Sequence, residues 1–155
     1  MKSKTIKICS EFPASVDEIW NMLRQMETLR YIAAPYVVFK PLKNAALIWK
    51  EGETSEFALR LFGFFNMGVH TINVIQFDKE TLTVFTNEGN KYIPTWNHRI
   101  MLRKTEKAGF TSYCDEVEMS AGWKTPIVAV WGKMFYRHRQ RKWLKLLIEN
   151  KEIDG

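Results

Sequence analysis

Five polar side chains stand among apolar neighbours and carry groups suited to proton transfer or ligand orientation: His70, His98, Tyr113, Asp115 and His138. Over residues 93–105, Trp96, His98, Ile100 and Leu102 alternate with Asn97, Arg99, Met101 and Arg103, so His98 shares an apolar face. Over 110–121, Tyr113, Asp115, Val117 and Met119 share a face opposite Cys114, Glu116 and Glu118. If these two segments pair as a hairpin, His98 and an inward acid become near neighbours. A carboxylate beside an imidazole fixes its tautomer and favours its charged form, which general acid–base chemistry uses. His98, Tyr113 and Asp115 are therefore the catalytic candidates. The plainer alternative is a satisfied buried pair, Asp115 with a histidine such as His138, that only orients a helix.

The elements that must position these groups follow from periodicity. Residues 4–11 alternate as a strand, with Ile6, Ile8 and Ser10 on one face. Pro13 breaks it. Ser15 and Glu18 make a capping box, and Ile19, Trp20, Leu23 and Met26 continue at helical spacing over 16–26. A shorter helical turn around 28–33 ends before Pro35. Residues 36–49 are extended but interrupted by Pro41 and Asn44. Period two then returns: Phe57, Leu59 and Leu61 on one face, later His70, Ile72 and Val74, then a short strand at 81–87. Phe62–Gly68 and Glu88-Gly89-Asn90 read as turns. Residues 124–150 read as one long helix with Pro126 in its first turn. Ile127, Trp131, Met134, Phe135 and His138 fall on one stripe of it, and Tyr136, Trp143, Leu144 and Leu147 lie roughly opposite. The order β, α, α, about six antiparallel strands and a final helix is an α+β arrangement, a curved sheet with the helix packed across it.

Composition limits the function classes. The length fits one domain over 1–155. Trp, Phe and Tyr number 6, 10 and 5, enough to line a large core or a cavity. The net charge of +6 is almost wholly that of residues 124–155, with eight Lys and Arg against three acids. The densest part, Arg137-His138-Arg139-Gln140-Arg141-Lys142, reads as a solvated helix face, and nucleic acid is not an expected partner. No transmembrane segment and no signal peptide are expected, and a cytoplasmic location is. The two cysteines, Cys9 and Cys114, form no C-x-x-C; a single disulfide would be feasible, but a reduced pair is the expectation. No nucleophile, nucleotide or metal motif occurs, so no cofactor and no metal site are expected.

Three segments resemble a known superfamily. Ser10-x-x-Pro13-Ala14-Ser15-Val16-Asp17-Glu18-Ile19-Trp20 is similar to the first strand-to-helix junction of START-like, birch-pollen-allergen-like (SRPBCC) proteins. Tyr113-x-Asp115-Glu116-Val117-x-Met119-x-Ala121-Gly122 resembles their last strand, and Phe135 to Trp143 the final helix of a polyketide-cyclase-like subgroup. The resemblance implies a helix-grip fold, with a seven-stranded antiparallel sheet around the C-terminal helix and an apolar cavity between them. It implies binding of a hydrophobic small molecule (lipid, polyketide or aromatic). The expected wall is Phe57, Leu59, Leu61, Ile72, Trp96 and Val117 from the sheet and Trp131, Met134 and Phe135 from the helix. His70, His98, Tyr113, Asp115 and His138 supply its polar groups. Trp49, Phe62, Phe64 and Phe65 are placed to form a mouth or lid. The alternative is a cyclase or dehydratase acting on a polyketide-like substrate; it requires His98, Tyr113 and Asp115 to converge on one open point. A third reading is a module that binds a partner through the basic helix. Ligand identity and oligomeric state are not legible.

Overall fold

The structure is a computed structural model that describes residues 2–43 and 45–154. Strand β1 (Lys4–Phe12) leads into α1 (Val16–Leu23) and α2 (Met26–Ala33). Six strands follow: β2 (Val37–Pro41), β3 (Thr54–Leu61), β4 (Phe65–Asp78), β5 (Thr83–Gly89), β6 (Thr95–Lys104) and β7 (Thr111–Ser120). The chain closes with α3 (Thr125–Asp154). The seven strands form one antiparallel sheet in the order β1-β7-β6-β5-β4-β3-β2, with α3 packed along its inner face. This is the helix-grip architecture.

Local chemistry explains most boundaries. The Ser15 hydroxyl accepts from the Glu18 backbone N–H at 3.1 Å and opens α1. The helix expected over 16–26 ends at Leu23 and Met26 instead opens the second expected helix, because Gln25 takes an extended conformation and bridges to Ile48. Asn44, expected as an interruption, lies outside the described residues. The segment expected as a turn over Phe62–Gly68 tightens to the Phe62–Phe64 turn, and β4 already begins at Phe65. Likewise β5 runs on through Glu88 and Gly89, which pair with Ile72 and Thr71 across β4.

Cys9 and Cys114 stand directly opposite in the β1–β7 register, with Cα atoms 4.1 Å apart. They are joined in a disulfide, which corrects the expectation of a reduced pair. Adjacent antiparallel strands that place two cysteines face to face leave their sulfurs within bonding reach.

The face that α3 buries differs from the stripe expected. Ala129, Gly132, Phe135, Tyr136, Arg139, Gln140, Trp143 and Leu147 form one continuous buried line. Ile127 and Met134 are at its edge, 66% and 50% exposed, so Met134 is not part of the interior. Gly132 lets the helix approach the sheet: a Cβ there would stand 3.1 Å from both Ile6 Cδ1 and Met119 Cε. The expectation of a solvated basic segment is corrected in part. Arg137 and Arg141 are exposed, whereas Arg139 and Gln140 are buried because they fall on the sheet-facing line.

Candidate functional site

The interior is apolar at both ends and polar in between. One core cluster holds Phe39, Phe57, Ile72, Trp96, Val117, Met119, Phe135 and Tyr136. The other holds Phe12, Ile19, Trp20, Ile100, Leu102, Tyr113, Trp143 and Leu147. On β6 the crossover falls at His98, between Trp96 and Ile100. On β7 it falls at Asp115, between Val117 and Tyr113, and on α3 at Arg139 and Gln140. A polar layer thus crosses sheet and helix at one level.

Its members are closely bonded. His98 Nε2 lies 2.6 Å from Asp115 Oδ1. The other Asp115 oxygen accepts from Gln140 Nε2 at 3.0 Å, and Gln140 also donates to the Ile8 carbonyl and accepts from Ser10. Glu88 Oε1 meets His70 Nε2 at 2.9 Å, and Glu88 Oε2 accepts from the Thr86 hydroxyl at 2.7 Å. His98 Nδ1 stands 3.8 Å from Glu88, an electrostatic rather than a hydrogen-bonding distance. The tautomer of His70 follows from its neighbours. Asn90 Oδ1 accepts from the backbone N–H groups of Tyr92 and Ile93, so its amide nitrogen faces His70 Nδ1 at 3.1 Å. Nδ1 is then the acceptor, and the proton sits on Nε2, donated to Glu88. Burial pushes the Glu88 carboxyl up, but its contacts with His70, His98 and Thr86 outweigh that and hold its pKa below the ordinary value.

A cavity of about 330 Å³ lies between this layer and the end of the molecule where α3 begins. Its walls are Val37, Phe39, Leu59, Leu61 and Met67 from β2 to β4, Ile93 and Trp96 beside β6, and Val128, Trp131, Phe135 and Tyr136 from α3. His70, Glu88, Asn90 and Arg139 supply the polar part, and the exposed Tyr92, Lys124 and Ile127 mark the opening. A second cavity, of about 60 Å³, lies on the far side; Glu88 and Arg139 line both.

Of the residues singled out from the sequence, Leu59, Leu61, His70, Trp96, Trp131 and Phe135 line the larger cavity. Ile72 and His98 line the smaller one. Phe57 and Val117 are fully buried in the core and reach neither. Tyr113 belongs to the opposite core cluster, its hydroxyl accepting from Trp143 Nε1 at 3.1 Å. Burial and the nearby Asp115 push that hydroxyl's pKa well up, so it stays protonated. Asp115 is 1% exposed and both its oxygens are engaged. His98, Tyr113 and Asp115 therefore do not surround an open point. His138 does not pair with Asp115: it donates to the Ala34 carbonyl at 2.7 Å and stacks on Tyr36. Burial, aided by Lys142, Arg141 and Arg139, lowers its pKa despite that bond. Phe62, Phe64 and Phe65 are exposed and line neither cavity, while Trp49 lines the smaller. Among the described residues, no group of three or more His, Cys, Asp or Glu side chains is placed to hold a metal ion, and no helix is long and apolar enough to cross a membrane.

Glu88, Arg139, Gln140 and Tyr136 are polar site residues that the sequence did not flag, and of the apolar wall it missed Val37, Phe39, Met67, Ile93 and Val128. Glu88 sits in a Glu-Gly-Asn string that reads as a turn, and Arg139 in a run of bases that reads as surface. Of these polar residues only Tyr136 had a signal, its place on the second apolar stripe.

The model of the family described as "Domain of unknown function (DUF8410)" matches residues 10–147, and the chain belongs to that family. No curated protein matches it by sequence. Solved structures share its fold. Protein CV1439 from Chromobacterium violaceum superposes with a TM-score of 0.72 at 11% identity, covering 92% of this chain and 95% of that one. A START superfamily protein from Mycobacterium smegmatis gives 0.69 at 11%, covering 94% and 97%. Norcoclaurine synthase from Thalictrum flavum, in complex with dopamine and hydroxybenzaldehyde, gives 0.69 at 15%, covering 96% and 88%. At these identities the likeness is one of fold, and the fold is START-like.

Proposed function

We propose that this member of the DUF8410 family binds a hydrophobic small molecule between its sheet and its final helix, the chain acting as one helix-grip domain. The observation that carries the reading is the cavity of about 330 Å³, walled by aliphatic and aromatic side chains and open beside Tyr92 and Ile127. A well-packed interior fills such space, so a cavity of this size with few polar groups is the form of a ligand site. Leu59, Leu61, Trp96, Trp131 and Phe135 are its apolar contacts and His70 its polar edge. The norcoclaurine synthase structure of the same fold, with its aromatic compounds, supports a small-molecule role. Lipid, polyketide and aromatic ligands all remain within the class.

Turnover by the cyclase chemistry considered above is not favoured. It needs His98, Tyr113 and Asp115 around one substrate, but both Asp115 oxygens are engaged, Tyr113 lies in the opposite core cluster, and only His98 reaches a cavity, the smaller one. Binding without chemistry by these three groups is the simpler reading.

Native mass spectrometry of protein purified from cells tests it. A species heavier than the chain is expected, lost on denaturation, with an apolar compound in the released fraction. Addition of naphthalene-2-carboxamide to the stripped protein is expected to raise its Tm, because a ligand that binds only the folded state stabilises it. A bare chain mass together with an unmoved Tm would contradict the proposal.

A further inference from the structure

We propose that the molecule held in this cavity is an apolar monocarboxylate, its carboxylate seated on Arg139 and Tyr136. The proposal rests on the cavity-binding reading above and specifies the chemistry of its ligand.

Arg139 is only 5% exposed and lines the cavity floor. Its Nε is buried without a hydrogen-bond partner. Among the described residues, no carboxylate oxygen lies within 4.0 Å of its guanidinium. The rings of Phe135 and Tyr136 lie 5.6 and 5.0 Å from its central carbon and offset part of the cost of burying it. They do not accept in the plane of the fork, Asp115 and Glu88 favour the charge only from beyond hydrogen-bonding reach, and a buried charge without a hydrogen-bonded counter-ion is expensive.

Tyr136 adds a second donor. Its oxygen accepts from Trp96 Nε1 at 2.9 Å, which leaves its own proton to give, and no acceptor among the described residues receives it. Each acceptor oxygen of Glu88 and Asn90 in the same wall already receives at least one hydrogen bond. Glu88 is bonded through one oxygen to His70 and through the other to Thr86, and Asn90 Oδ1 holds two backbone N–H groups. Lys124 stands at the opening. Arg139, Tyr136 and Lys124 are thus donors left open in the cavity, and two of them are cations.

A planar carboxylate matches the guanidinium fork with two parallel bonds and can take the tyrosine proton as well. Glu88 lines the same floor, so a doubly charged phosphate monoester would meet its repulsion, and a single negative charge fits better. The remaining wall is apolar. The volume of about 330 Å³ is roughly twice the ~150 Å³ of an apolar cavity that takes benzene. A fused bicyclic or a medium acyl chain is the matching body, lying against Leu59, Leu61 and Trp131.

The test compares two probes of nearly equal shape, naphthalene-2-carboxylate and naphthalene-2-carboxamide, by isothermal titration calorimetry at pH 7. Wild type is expected to bind the carboxylate at least about tenfold more tightly, as a charge-assisted pair would give. Arg139→Gln is expected to abolish that preference while still binding the amide, and Tyr136→Phe to reduce it. Equal or weaker binding of the carboxylate by wild type would overturn the inference and leave the cavity reading standing. A preference that persists in folded Arg139→Gln would also overturn it. Binding of neither probe would remove the cavity reading and this inference with it. If Arg139→Gln does not fold, the wild-type comparison and Tyr136→Phe decide.

Discussion

Glu88 contributes to stability through its charge, and the sign of its pH dependence follows from its surroundings. Its folded pKa lies below the ordinary carboxylate value despite burial. A group depressed in this way stabilises the fold fully above its unfolded pKa of about 4.3, and that contribution is lost as the pH falls through the folded value. Chemical denaturation of wild type is thus expected to show stability falling below about pH 5, and Glu88→Gln to flatten part of that fall. At pH 7 the same substitution is expected to cost about 1–3 kcal/mol, because an amide in that place cannot take both the His70 and Thr86 protons. An unchanged acid limb in Glu88→Gln would show that the depressed pKa is not realised. Neither Glu88 nor Arg139 was legible as an interior residue. Both are charged, both lie in strings of polar neighbours, and what buries them is long-range: β5 running past the apparent turn, and α3 lying across the sheet. His98 and Asp115 were legible, because each alternates with apolar side chains at period two in an uninterrupted strand.

At the scale of elements, the end of β5 positions the polar floor of the cavity. Gly89 stands between Glu88 and Asn90, and a Cβ on it would lie 2.8 Å from the Pro94 carbonyl oxygen. That oxygen is backbone and cannot swing aside. Gly89→Ala is expected to lower stability by about 1–3 kcal/mol, as overpacking does, and to weaken ligand binding by displacing the 88–94 segment. Urea denaturation measures the first effect and calorimetry the second; a stability unchanged within error would contradict the close approach. The strands were well marked by their alternation. The phase of α3 was not, because its buried line includes a glycine, an arginine and a glutamine. An apolar-only reading therefore splits into two stripes, and only the sheet shows that one buried face runs through the second and borders the first. Truncations such as Phe135→Ala are poor probes here, since a side chain 4% exposed costs about 3–5 kcal/mol as core alone.

For the molecule as a whole, the sheet and α3 are held apart at one end and closely packed at the other. Trp143 and Leu147 fill the closed end with Phe12 and Tyr113, while Gly132 brings the helix near β1 and β7 without filling the space toward β2 to β4. The helix-grip outline was legible from element order and three short motifs. The cavity was legible only as an excess of aromatic residues, since its volume depends on which side chains fail to meet. The central claim is that this space takes a ligand, and the direct test is to fill it. Calorimetric titration of naphthalene-2-carboxamide into wild type is expected to show saturable one-to-one binding. Leu61→Trp places a larger ring in the wall and is expected to weaken that binding at least about tenfold with the circular dichroism spectrum retained. Equal binding by the two folded proteins, or none by wild type, would contradict a ligand site between the sheet and its helix.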